Sequence, residues 1–498
     1  MEVFRLDTAQ PRDFPPQLRA LHRRQGQAAV DWLRFARRNP ETLDRAEFGY
    51  TRDSLDNYLY GAIHPWPLFI DEQRQQDFAA AAVSVSQLIE SVPTRLFGDD
   101  PVRLSEALCL DQDLTRISVE YRLRYPDAPL WSRADFYDTA SGLRCLELNT
   151  SSFLGGWQDA IWRPYYLQHP LIRRFLDEYG YQPTQGDESI AIVFHGLVQR
   201  AVDAGFAEGG QLNLFMGMDE EDMPEIRFNS QDAIGDLWSK TLTAVAPGVE
   251  GQVTLAPVMK AQADEKGLFY GGEPQHIMLE FYSTLSPPSV LQALDAGRLH
   301  LCNGPANIIL RSKLHLAWLW EHADRGDEAF TAEERDQILR FLPWSIIPRR
   351  GAKVRFRGEF HDVSKLLLQR REDFVIKRGS SFAGQGVHVG RFVEDAEWQQ
   401  HVEQALSEPG WMVQERIDSV PLLFQNGEHG AVLHDSAWGI FAFGPRYGGS
   451  FLRIQPMAGA APPVSEEDGL NRGLINTSQG ARECAIIAVE PRIASLQS

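Results

Sequence analysis

The segment RADFYDTASGLRCLELN, residues 133–149, restricts the fold more than any other stretch of the chain. Two runs of alternating polar and apolar residues flank Thr139 to Gly142, and a turn there sets Asp135 opposite Glu147 and Arg133 opposite Asn149. Strand side chains alternate between faces, so Arg133, Asp135, Glu147 and Asn149 are expected on one face and Ala134, Phe136, Leu146 and Leu148 on the other. The apolar face reads as core. On the polar face two opposed carboxylates repel unless a positive charge lies between them, and a hard cation with oxygen ligands such as Mg²⁺ meets that need. Arg133 cannot be a ligand and suits an anion, such as a transferred phosphoryl group or a developing oxyanion. A solvated hairpin with a surface Arg–Asp pair is the plainer alternative for the segment taken alone.

At 498 residues the chain is long for one core, which favours several subdomains. Apolar residues at helical spacing over 17–40 and 72–92 make the opening third mostly helical. Next, ESIAIVFHG (188–196) reads as a strand, LVQRAVDAGFA as a helix and NLFMGMD as a second strand, a βαβ-type unit. Strands LFYGG and HIMLEFYS and the segment LHLCNG follow, then the helix SKLHLAWLWEHA, and then β-rich segments FVIKR, GVHVGRF, WMVQERI and HDSAWGIFAFG. This order predicts an α/β (α+β) protein. The expected divisions are a helical region with the hairpin (1–180), a Rossmann-like α/β subdomain (181–310), a subdomain with a glycine-rich loop (311–400) and a C-terminal subdomain (401–498).

The 49 basic and 68 acidic residues give a net charge of −19, which argues against nucleic acid as a partner. No apolar run is long enough to span a bilayer and no secretory signal is evident, so a soluble, cytoplasmic protein is expected. Cys109, Cys145, Cys302 and Cys484 lack metal-like spacing and read as mostly buried reduced thiols.

Four downstream elements carry possible nucleotide chemistry. FVIKRGSSFAGQGVHVG (374–390) sets Lys377 at the end of a strand, ahead of a loop with Gly379, Ser380, Ser381, Gly384 and Gly386. Such small residues let backbone N–H groups approach phosphate oxygens, and the lysine supplies a point charge. It is not a Walker A loop, because GxxxxGK[ST] is absent, and an ordinary glycine-rich hairpin tip stays open. WMVQERI reads as a buried strand whose backbone and Glu415 can meet an adenine edge. GGSFLRI presents Arg453 after a glycine pair. Lys313 begins a helix whose N-terminus is already positive, a mismatch that an anion relieves.

Taken in order, these elements resemble the ATP-grasp ligases, most closely the glutathionylspermidine synthetase type, with similarity to the eukaryotic glutathione synthetases. R-x-D-F (Arg133–Phe136) followed by E-L-N (Glu147–Asn149) matches the family's metal motif. The resemblance implies Asp135, Glu147 and Asn149 as Mg²⁺ ligands and Arg133 at the reacting carboxylate and phosphate. N-T-S-S-F-L-G-G is similar to the substrate loop and implies Ser151 and Ser152. S-K-L-H-L-A-W-L-W-E gives Lys313, F-V-I-K-R-G-S-S-F-A-G-Q-G gives Lys377 and the lid loop, W-M-V-Q-E-R-I gives Gln414, Glu415 and Ile417 around adenine, and G-G-S-F-L-R-I gives Arg453. The metal motif precedes the lysines, an order that implies the permuted branch of the fold. Asn476, in LINTSQGA, is a second-choice ligand. The activity implied is ATP- and Mg²⁺-dependent joining of a carboxylate to an amine through an acyl phosphate, on amino acid or small peptide substrates. A phosphotransferase on the same fold and a non-catalytic ATP-binding protein are the alternatives.

Overall fold

The computed structural model describes residues 16–39, 63–150, 154–155, 159–184, 189–220, 223–281, 287–381, 384–425, 431–457, 475 and 481–492. The protein is a mixed α/β structure with several sheets, one of them parallel.

At its centre lies an antiparallel sheet in the order Arg482–Cys484, Arg446–Pro456, Ala431–Phe443, Trp131–Thr139, Gly142–Asn149. The two longest strands, Ala431–Phe443 and Arg446–Pro456, form a hairpin that brings Arg453 into the sheet. The Glu72–Phe97 helix packs across this sheet, sending Phe78, Val85 and Ile89 into the core. Its ends are well set: the Asp71 carboxylate accepts from the Arg74 N–H at 3.0 Å, and Gly98 closes the helix at φ 64°.

A four-stranded parallel sheet runs His300–Leu301, Ile277–Phe281, Leu214–Met218, Val253–Pro257. Leu214–Met218 is buried along its whole length, as expected of an inner parallel strand covered on both faces. The segment predicted as a strand at 188–196 is instead part of the Ser189–Asp203 helix. A short run of Ile, Val and Phe fits a buried helix as well as a strand, and packing decides between them. Gly196 lies so close to the central sheet that a Cβ there would meet the Phe443 ring at 2.1 Å. The crossover unit therefore runs Leu214–Met218, the Met223–Val245 helix, Val253–Pro257, with the two strands parallel.

A third sheet, ordered Ser345–Ile346, Trp411–Glu415, Phe374–Arg378, Val387–Val389, has a core of its own built from Trp344, Phe374, Ile376, Trp398 and Val413. Its opposite face turns Ser345, Lys377 and Gln414 toward the 133–149 hairpin. Three of the four cysteines are buried, Cys109 is exposed, and none forms a disulfide. Among the described residues no helix is long and apolar enough to cross a membrane.

Candidate functional site

The hairpin has the register its alternation predicts, with Arg133 paired to Asn149 and Asp135 to Glu147. Beyond Asp135 the register slips by one, so that Phe136 faces Cys145 and Leu146 is left as the extra residue of a bulge. Leu146, expected in the core, is for that reason only partly buried. The bulge frees its carbonyl, which accepts from Lys377 Nζ at 3.0 Å. Past the bulge, Asp138 is buried beneath the hairpin, held by Arg24 at 2.9 Å, Gln25 at 2.9 Å and Arg74 at 2.7 Å. These bonds tie the turn between the first two helices, through Arg24 and Gln25, and the Glu72–Phe97 helix, through Arg74, to the back of the site.

On the site face, Gly439 lies beside Asp135 on one side and Phe451 on the other. A Cβ at Gly439 would meet the Phe451 ring at 2.0 Å, so only glycine leaves room for that ring against the strand. Phe451 in turn underlies two guanidiniums, Arg133 at 5.4 Å and Arg453 at 5.7 Å from the ring centre. Both arginines grip Asp135. Arg133 binds it in bidentate fashion, Nε to Oδ1 at 2.8 Å and Nη2 to Oδ2 at 3.1 Å, while Arg453 Nη2 reaches Oδ2 at 2.7 Å across the intervening strand. Burial alone would raise the Asp135 carboxyl, but the two guanidiniums override it and hold it well below the usual carboxylate range.

The two lysines reach the hairpin from separate elements. Lys313, the residue before the Leu314–Asp324 helix, lies 3.5 Å from Glu147 Oε2 and donates to the Ser381 carbonyl at 2.5 Å. It thereby joins the helix, the glycine-rich loop and the hairpin. Lys377 also donates to Gln414 Oε1 at 2.7 Å. Burial pushes its ammonium down to about 8, with Glu147 pulling the other way and Lys313 adding repulsion.

Within the loop, Gly384 and Gly386 take positive φ of 77° and 62°, and Gly379 sits against Leu314 with no room for a Cβ. Ser380 flanks the chain turn beside Ser381, whose hydroxyl donates to the Arg378 carbonyl at 3.1 Å. Gln414 is buried, whereas Glu415 pairs with Arg357 at 2.8 Å. Glu415 and Ile417 line a cavity of about 650 Å³ together with Arg144, Trp344, Phe356 and Arg357. Asp135, Glu147, Lys313 and Lys377 lie outside that cavity. Ser151, Ser152 and Asn476 fall outside the described residues.

The donor set for a cation is uneven. Glu147 is about 29% exposed, with Lys313 as its ion-pair partner. Asn149 Nδ2 contacts the Arg133 carbonyl and Asp135, each at 3.4 Å, which leaves its Oδ1 without a partner among the described residues. These two oxygen donors suit Mg²⁺. Asp135 would have to share its oxygens between an ion and two arginines. For an anion, Arg453 Nε is a buried donor without a hydrogen-bond partner among the described residues.

One residue of this face was not foreseen. Glu483 pairs in register with Arg453 and shares its side of the sheet. Its only trace in the sequence was one of the two acids, Glu483 and Glu490, that flank the apolar run CAIIAV. No protein-family model matches the chain, and neither does any curated protein.

Proposed function

We propose that the protein is an ATP-dependent carboxylate–amine ligase with a permuted ATP-grasp architecture. The observation that carries this reading is the meeting of Lys313 and Lys377, 64 residues apart in the chain, on one carboxylate-bearing hairpin: Lys313 at Glu147 and Lys377 at the Leu146 carbonyl. Phosphate oxygens entering between them would exchange those internal contacts for charge-assisted ones. Bound Mg²⁺ would neutralise phosphate charge, held by Glu147 and Asn149 with Asp135 sharing.

The remaining roles follow from charge. Lys313 and Lys377 hold the nucleotide phosphates, and the 379–386 loop covers them and keeps water from an acyl phosphate. The cavity beside Glu415 and Ile417 is roomy enough for a purine ring. Arg133 and Arg453 offset charge on the transferred phosphoryl group and on the oxyanion formed when an amine attacks.

The test is ADP release from MgATP across paired panels of amino acids and amines. The ligase reading expects release that needs both members of a pair, with the matching amide as product. A stable phosphoenzyme without amide, or no ADP release with any pair, defeats it.

A further inference from the structure

Besides Asp135 and Asp138, the central sheet carries a third buried carboxyl, and this one has no assigned work. Glu483 is only 9% exposed, yet its carboxyl makes no hydrogen bond and no ion pair with any described residue. Its backbone is firmly held: Glu483 bridges Ile63, and its carbonyl accepts from the His64 N–H at 2.6 Å. A buried carboxyl without partners is costly and adds nothing to folding that glutamine or an apolar residue would not supply.

Its position separates it from the hairpin's own carboxylates. Glu483 faces Arg453 across one strand pair, and Arg453 reaches over the next strand to Asp135. Glu147 lies four strand spacings from Glu483, roughly 19 Å at about 4.8 Å each, so one ion cannot bridge them. The order across the sheet is therefore Glu147, then Asp135 and Arg133 on one strand, then Arg453, then Glu483. The charged groups acting on Glu483 are Arg453 and Arg133, and neither forms an ion pair with it.

Building on the ligase reading above, we propose that Glu483 receives the ammonium group of the amine substrate and takes its proton. The amine then approaches the arginines from the side opposite the nucleotide. One proton passes from R–NH₃⁺ to the Glu483 carboxylate, leaving a neutral amine whose lone pair attacks the acyl phosphate carbonyl. The C–O bond breaks, its electron pair leaves with phosphate, and the second N–H proton goes to that phosphate. Burial raises the Glu483 carboxyl to about 7, against the pull of Arg453 and Arg133, a value suited to exchanging a proton near neutrality.

The experiment compares wild type, Glu483→Gln and Glu483→Asp with MgATP and a panel of amino acids as acids. Each is offered either amino acid amides, which are ammonium nucleophiles, or hydroxylamine, which is largely uncharged near neutral pH. The proposal expects Glu483→Gln to lose about 100-fold or more in kcat for amide formation while hydroxamate formation falls by less than about 10-fold. Glu483→Asp, which retains a carboxylate, should recover part of the amide rate. Equal loss of both products, or amide formation at the wild-type rate in Glu483→Gln, overturns the role of Glu483 and leaves the ligase reading intact. Wild type that makes neither product with any acid overturns both.

Discussion

Asp135 and Glu147 face each other on the hairpin, but their removal should have opposite consequences. Asp135→Asn strands two largely buried guanidiniums, a change that typically costs about 3–5 kcal/mol, so its thermal midpoint should fall clearly. Glu147→Gln removes only a partly exposed pair with Lys313, worth under about 1 kcal/mol, yet should abolish Mg²⁺-dependent turnover. Unchanged activity in Glu147→Gln would contradict its role as a ligand. Glu483 gives a pH signature. Its folded value, about 7, lies above the unfolded one of 4.5, so both states are protonated below pH 4.5. As the pH rises from there, the unfolded chain ionises first, and stability is lost until about pH 7. Glu483→Gln should therefore be as stable as wild type at pH 4 and more stable at pH 8, by roughly 3 kcal/mol for a difference of this size. Equal melting at pH 8 would contradict a buried carboxyl without a partner among the described residues.

Between elements, the meeting of lid sheet and hairpin rests on Lys377. Burial lowers its ammonium to about 8, so in the free protein it is charged at pH 7 and increasingly neutral above pH 8. ATP affinity, measured by calorimetry, should fall as pH rises past 8, and Lys377→Gln should bind weakly with that pH dependence gone. A wild-type affinity flat from pH 7 to 9.5 would count against phosphate contact at this lysine. The hairpin register was legible because period-two alternation and a Gly-containing turn are local signals. The Leu146 bulge was not, since the one-residue slip serves a contact 231 residues away. The helix over Ser189–Asp203 was missed because its apolar run is ambiguous until Gly196 meets Phe443. Glu483 could not be foreseen because pairing with Arg453, not any local pattern, gives it meaning.

Across the whole molecule, a strongly acidic chain concentrates Arg133, Arg453, Lys313 and Lys377 where three elements meet: the central sheet, the Leu314–Asp324 helix that shares its core, and the sheet around Lys377 with a core of its own. Those lysines now bond to protein carbonyls, Ser381 and Leu146, which a nucleotide would displace. MgATP should therefore slow amide hydrogen exchange across 379–386 and 142–149 together in wild type and not in Lys377→Gln; protection confined to one segment would argue against a shared phosphate site. The ligase account itself stands on transfer of phosphate to a carboxylate. Amino acids carrying ¹⁸O in both carboxylate oxygens, incubated with MgATP and the amine that supports ADP release, provide the most direct measurement. The account predicts that each inorganic phosphate formed contains one ¹⁸O atom. Phosphate free of ¹⁸O, formed alongside ADP, would contradict it.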